Sequence, residues 1–320
     1  MTGLIRRTWA TNRPLTFVGL AMAAVLALAL AGLVIDPRVI TGAPAWLKPA
    51  KFAISIAIYS FTLVWLLTFV QGHRRAVALV SWVTAIAMII EIALIAGAAA
   101  VGTTSHFNVS SPLHIAIWST MASAIVATWV VNLVVALLLL RQPMADRAFA
   151  WSLRLGVLIS AAGMGVAFFM TSPTAEQLTA ARAGAGMTIS GAHAVGVADG
   201  GPGLPVVGWS TVGGDLRAPH FFGLHGLQLL PLLGIALVRF GPRWLRPGDR
   251  LALVVTAGLG YLGFVALTTW QALRGQPLLA PDQLTLVALT ALVAAVAAAT
   301  LTVVARAHQA RSMSVHMTAG

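Results

Sequence analysis

Apolar residues in this chain neither alternate like a half-buried strand nor recur only on one helical face. They run on for about 20 residues at a time, the length a helix needs to cross the hydrocarbon core of a bilayer. Eight runs reach that length, over residues 14–35, 52–70, 76–97, 114–140, 150–170, 220–240, 251–272 and 283–305. Backbone groups in lipid must bond within their own segment, so the runs predict helices. The expected fold is all-α: a polytopic bundle of about eight spans, forming a single integral membrane domain over 1–320. The run 114–140 is longer than a perpendicular crossing needs and predicts a tilted or protruding helix. Arg6 and Arg7 before the first run resemble a signal peptide, but that run is too long for one and reads as an uncleaved helix.

Composition supports this reading. Hydrophobic residues make up 59% of the 320 and charged residues 9%, with a mean hydropathy of +0.90. A soluble domain carries about 25% charged residues, so an ordinary soluble enzyme is excluded. The absence of cysteine excludes disulfides, thiol catalysis and cysteine-ligated clusters. The net charge of +12 needs no nucleic acid, because 14 of the 20 Lys and Arg fall on the side of the termini and 6 on the other. The positive-inside rule then places the N- and C-termini in the cytoplasm, with the lipid bilayer as the obligatory partner.

Polar chemistry gathers on the opposite, outer side. His106, His114, His193, His220 and His225 fall there, in or beside loops that also hold Asp36, Glu176, Asp199, Asp215 and Asp282. Lys48 and Lys51 flank Pro49 at the entry to the second span, where they can anchor the interface or hold an anionic headgroup or ligand. Residues 171–219 form a long connection with ten glycines through Gly214. A connection of that length is either functional or mobile, and Ser172–Pro173 can start a short helix within it. Asn108 is placed to cap a helix after the shorter loop.

Glu91 is the one acidic residue deep in a span, which makes it a functional candidate by default. It is expected about 9 Å below the outer end of its span. His225 is expected at a similar depth, and His114 nearer the surface, so the three could converge. His220 and His225 are five residues apart and leave a helix on different sides, which argues against a local chelate. His225 shares a face with Gln228, and Gly223, Gly226 and Pro231 open a notch nearby for a ligand or a neighbouring backbone. Gly258-Leu259-Gly260-Tyr261-Leu262-Gly263 fits a dinucleotide fingerprint in letters only. It lies inside a span with no strand before it, so close helix packing is its expected use.

The blocks Thr104-Ser105-His106-Phe107-Asn108 and Gly214-Asp215-Leu216-Arg217-Ala218-Pro219-His220-Phe221-x-Gly223-Leu224-His225 resemble stretches of a group of uncharacterised bacterial polytopic inner-membrane proteins, which implies a bacterial cytoplasmic (inner) membrane. The resemblance covers about a tenth of the chain and implies no activity.

Three functional classes stay open. In the first, His225 with His114 or His106 ligates haem or a divalent metal near the outer leaflet, and Arg217, Lys48 or Lys51 holds propionates or a quinone headgroup, in a redox or enzymatic role. In the second, Glu91 loads a proton for a carrier of a small solute or lipid, with the Gly-rich connection as a lid. In the third, the outer segments dock a partner complex.

Overall fold

The computed structural model describes the backbone of residues 2–318 and the side chains of residues 3–312. Eight helices in it are long and apolar enough to cross a membrane, in the order the hydrophobic runs predict. A short helix, α1 (Thr2–Thr11), precedes them. Asn12 then leaves helical geometry, and its side chain accepts from Leu15 N at 3.2 Å to start α2 (Arg13–Ile35). The remaining helices are α3 (Leu47–Leu67), α4 (Arg74–Val101), α5 (Pro112–Arg141), α6 (Arg147–Met170), α7 (Ala175–Arg182), α8 (Arg217–Phe240), α9 (Pro247–Leu273) and α10 (Gln283–Thr318). The 30 residues of α5 rise about 45 Å, more than a bilayer core.

Helices α2–α5 pack as one group and α6, α8, α9 and α10 as another, joined where α5 meets α6. The closest pairing is α6 with α8, and the reason is steric. Gly163 and Gly223 face each other so nearly that a Cβ added at Gly163 would sit 2.5 Å from the Cα of Gly223. Without a hydrophobic force between helices in lipid, small residues that admit close backbone contact supply the packing energy. The notch expected around Gly223 and Gly226 is therefore filled by the neighbouring helix. Gly258, Gly260 and Gly263 serve packing too, receiving Leu155, Val296 and Leu292.

Four connections meet at one end of the bundle, and the longest closes over it as a cap. Two-residue strands shape two of these connections. β1 (Val39–Ile40) pairs with β2 (Ala43–Pro44), and β3 (Ala194–Val195) pairs with β4 (Gly214–Asp215). The turn between β1 and β2 touches the cap at Gly200, whose carbonyl leaves no room for a Cβ on Gly42. The short helix in the cap begins two residues later than Ser172–Pro173 suggests. Thr174 caps it through a reciprocal pair with Gln177, with Gln177 N donating to Thr174 Oγ1 at 3.3 Å and Thr174 N to Gln177 Oε1 at 2.9 Å. The Gln177 amide also exchanges two bonds with the backbone of Gly191, so one side chain starts the helix and fastens the stretch that leads to β3.

Gly163→Ala forces backbone against backbone and is expected to cost about 1–3 kcal/mol as an overpacked core contact. Gly165→Ala, in the same helix with open space around it, is expected to leave stability unchanged or slightly raised. Thermal unfolding of both variants in detergent checks the contrast; equal midpoints would refute the close-contact account of the α6–α8 pairing.

Candidate functional site

Glu91 lies deeper than expected. The fourth helix runs on to Val101, so Glu91 is ten residues, or about 15 Å, from its cap end. It stands about 5 Å from the midpoint of the helix. The residue is 1% exposed, and neither carboxyl oxygen accepts a hydrogen bond among the described residues.

The group that reaches it is His106, not His225 or His114. His106 Nε2 lies 3.4 Å from Glu91 Oε1, within ion-pair reach though without hydrogen-bond alignment. His106 belongs to the connection 102–111, which turns back into the bundle instead of passing over it. Ser105, Phe107 and Asn108 in that connection are all buried. Phe107 makes the reversal with φ +63°, a conformation costly for a bulky residue and held here by its surroundings. Its ring packs edge-on against Trp118 and His193, and its carbonyl accepts from Ser190 N at 2.8 Å. Val109 N donates to Thr188 O at 2.9 Å, so the cap pairs with the returning backbone. Asn108 does not cap a helix: its Oδ1 accepts from the backbone and hydroxyl of Ser110, and Ser111 caps α5 instead.

On the other side of the ring, Lys48 Nζ lies 3.0 Å from His106 Nδ1, with Ser105 Oγ at 3.1 Å. The third helix begins at Leu47, earlier than the hydrophobic run suggests, so Lys48 sits in its first turn and extends over Phe52. An ammonium has only hydrogens to offer. Nδ1 must then accept, which puts the ring hydrogen on Nε2, facing the Glu91 carboxyl. The rings of Phe52, Phe107 and Trp118 surround the imidazole with centroids 5.4–6.1 Å away. Burial, reinforced by the nearby Lys48 and His193, holds His106 well below its ordinary value of 6.5 and keeps it neutral.

A second pair lies beside the first. His193 Nδ1 donates to Asp199 Oδ2 at 2.7 Å, and the same carboxylate accepts from the backbone of His193 and Ala194. Burial disfavours the Asp199 charge, but these bonds and the nearby imidazole outweigh it and bring its pKa down to about 2. Burial also pushes His193 below its ordinary value, against the pull of Asp199. The ring is thereby fixed as a neutral tautomer with its Nε2 lone pair free. Both residues fall on the expected side, but nothing in the sequence pairs them, because the contact depends on the turn through Gly196.

The other candidates have structural partners. Lys51 Nζ donates to the carbonyls of Val206 and Val207 at 3.2 and 3.1 Å. Arg217 chelates Asp215 and also reaches Gly208 O at 2.6 Å, so the two cations pin one stretch of the cap. His220 Nδ1 donates to Gly163 O at 2.8 Å across the α6–α8 contact. Gln228 Nε2 donates to Thr62 Oγ1 at 3.2 Å and links α8 to α3. The convergence of His225 with Glu91 does not occur: His225 Nδ1 donates to Phe221 O of its own helix, and its ring lies over Phe221. His114 stays at the head of its helix, its Nδ1 next to Ser110 and Ser111. Among the described residues no three His, Asp or Glu side chains gather closely enough to hold a metal ion. No family model, curated protein or solved structure shows significant similarity to the chain.

His106 and His193 both titrate below 6.5 in the folded protein, so beneath that value the unfolded chain binds more protons than the folded one. The stability they contribute is fully present above 6.5 and is lost as pH falls. The thermal midpoint in detergent is expected to drop between about pH 7 and about pH 5, and to drop less in His106→Gln. A midpoint that holds steady or rises on acidification would contradict the neutral assignment.

Proposed function

We propose that this protein is a proton-coupled carrier of a small solute or lipid, with Glu91, His106 and Lys48 as its proton-loading chain. The observation that carries the reading is the imidazole held between an ammonium at one nitrogen and an unbonded, buried carboxyl at the other. A proton passes from Lys48 Nζ to Nδ1 as the Nε2 hydrogen passes to Glu91. The products are a neutral amine, the opposite imidazole tautomer and a carboxylic acid. An ion pair separated across a ring is thereby exchanged for three neutral groups, which removes two charges from a low-dielectric interior. The depth of Glu91, close to the middle of its helix, matches where carriers bind their cargo and coupling ion. The cap, fastened by Lys51 and Arg217, is the lid over the site.

The haem or metal reading has weaker support. Its ligands are His225 with His114 or His106, and among the described residues none of these gathers with two further donors into a group that could hold a metal ion. The distribution of cations, 14 against 6, supports a cytoplasmic location for the termini and an outer location for the cap. With the resemblance of the His106 and Arg217–His225 blocks, it supports a place among multi-pass proteins of the bacterial inner membrane.

The test uses the proton itself. Full-length protein is reconstituted into liposomes with a pH-sensitive dye inside, and a pH step is imposed outside. Wild type is expected to equilibrate faster than empty liposomes. Glu91→Gln is expected to slow the protein-dependent rate on the order of 100-fold, the scale of a lost acid–base group. His106→Gln should behave similarly, and so should Lys48→Arg, because a guanidinium keeps its proton and cannot pass it to the imidazole. A wild-type rate no faster than empty liposomes, or a Glu91→Gln rate equal to wild type, would remove this reading.

A further inference from the structure

Beneath Glu91 the core between α2, α3 and α4 holds hydroxyls that the protein leaves unbonded. Thr16, Ser60 and Thr84 are each 0% exposed, and none of their hydroxyls has a partner among the described residues. The buried Tyr59 hydroxyl is in the same condition. This departs from local habit. A helical Ser or Thr ordinarily spends its hydroxyl on the carbonyl a turn earlier. In this protein Thr62, Ser81 and Thr128 do so, onto Ile58, Val77 and Ala124. Thr16, Ser60 and Thr84 had the same option and left it unused.

The registers of the three helices set them in series. Asn12 Nδ2 donates to Ser81 Oγ at 2.6 Å and sets the register of α2 against α4, which run in the same direction. One turn further on lie Thr16 and Thr84, at a common level. Ser81, Thr84, Met88 and Glu91 then follow one another on a single buried face of α4. Tyr59 and Ser60 come from α3, which runs the opposite way and packs against both. The series begins at the arginine-rich end of the bundle, between Arg13 and Arg74, and ends at the Glu91 carboxyl.

A buried hydroxyl without a partner is costly, and interior water is the usual remedy where several such groups adjoin. We infer that a file of buried waters occupies this core, bonded to Thr16, Tyr59, Ser60 and Thr84 and reaching Glu91 from the side opposite His106. Taken with the carrier reading, on which only its use depends, the file gives Glu91 a second proton route. One route comes from the cap through His106, and the other leads to the arginine-rich end.

Water radiolysis reads the file without relying on transport. Short X-ray pulses turn bound water into hydroxyl radicals that oxidise the side chains they touch. Met88, 5% exposed, is on the face of α4 that carries the proposed file, and Met121, 1% exposed, is on α5, which contributes no hydroxyl to it. In the full-length protein in detergent, Met88 is expected to oxidise several times faster than Met121. Thr84→Val with Ser60→Ala should bring Met88 down to the Met121 rate. If that variant does not fold, the wild-type ratio decides. Equal rates in wild type overturn the inference, whatever the liposomes show. Fast oxidation of Met88 in a protein that moves no protons keeps the waters and removes the carrier reading. Proton movement that survives Thr84→Val undiminished shows that the file, if wet, is not the route.

Discussion

Backbone that leaves a helix at membrane depth must still bond every N–H and C=O, and lipid supplies no partners. That constraint governs the site. The connection carrying His106 can turn down toward Glu91 only where other protein meets its exposed backbone. Ser190 and Thr188 of the cap meet it, through the carbonyl of Phe107 and the amide of Val109. The cap in turn needs anchors, and Lys51, Arg217 and the Gln177 amide provide them. Cap, returning loop and buried carboxyl therefore form one dependent structure.

The division of labour among cations follows from this. Lys51 and Arg217 look like ligand-binding groups in a sequence because charge at an interface attracts anions. In the fold each is committed to carbonyls of the cap, and Arg217 is also committed to Asp215. Lys48, one turn before Lys51 on the same helix, faces His106 instead. Three residues of spacing on a helix turn it by about 300°, enough to separate the two ammonium groups onto different tasks.

The second half of the bundle is built for closeness, not chemistry. Gly163 against Gly223 brings two backbones together, and the His220 bond to Gly163 O crosses the same contact. A histidine that looked like half of a ligand pair is a strut. His225, turned about 500° further along the helix, faces away from it and rests on Phe221.

The eight spans, their order, the two ends and the place of Glu91 as the one acidic residue deep in a span are all legible in the sequence, because each depends on runs or periodicities within a single segment. The starts of α3 and α7 fall a few residues from where the sequence suggests, since Lys48 and Lys51 are polar residues at the head of α3 that a hydrophobic run leaves out, and Thr174 in place of Ser172 caps α7. Which histidine meets Glu91 was decided only by tertiary structure. Depth along neighbouring helices favoured His225, but depth says nothing of the direction in which a side chain faces. His106 wins because Phe107 adopts a left-handed turn, and that turn stands only with the cap folded over it. The pairing of His193 with Asp199 is of the same kind, as is the row of unbonded hydroxyls below Glu91. The first and the last join residues that are unremarkable alone and informative once three or more segments are packed side by side, whereas His193 and Asp199 meet through the turn between them.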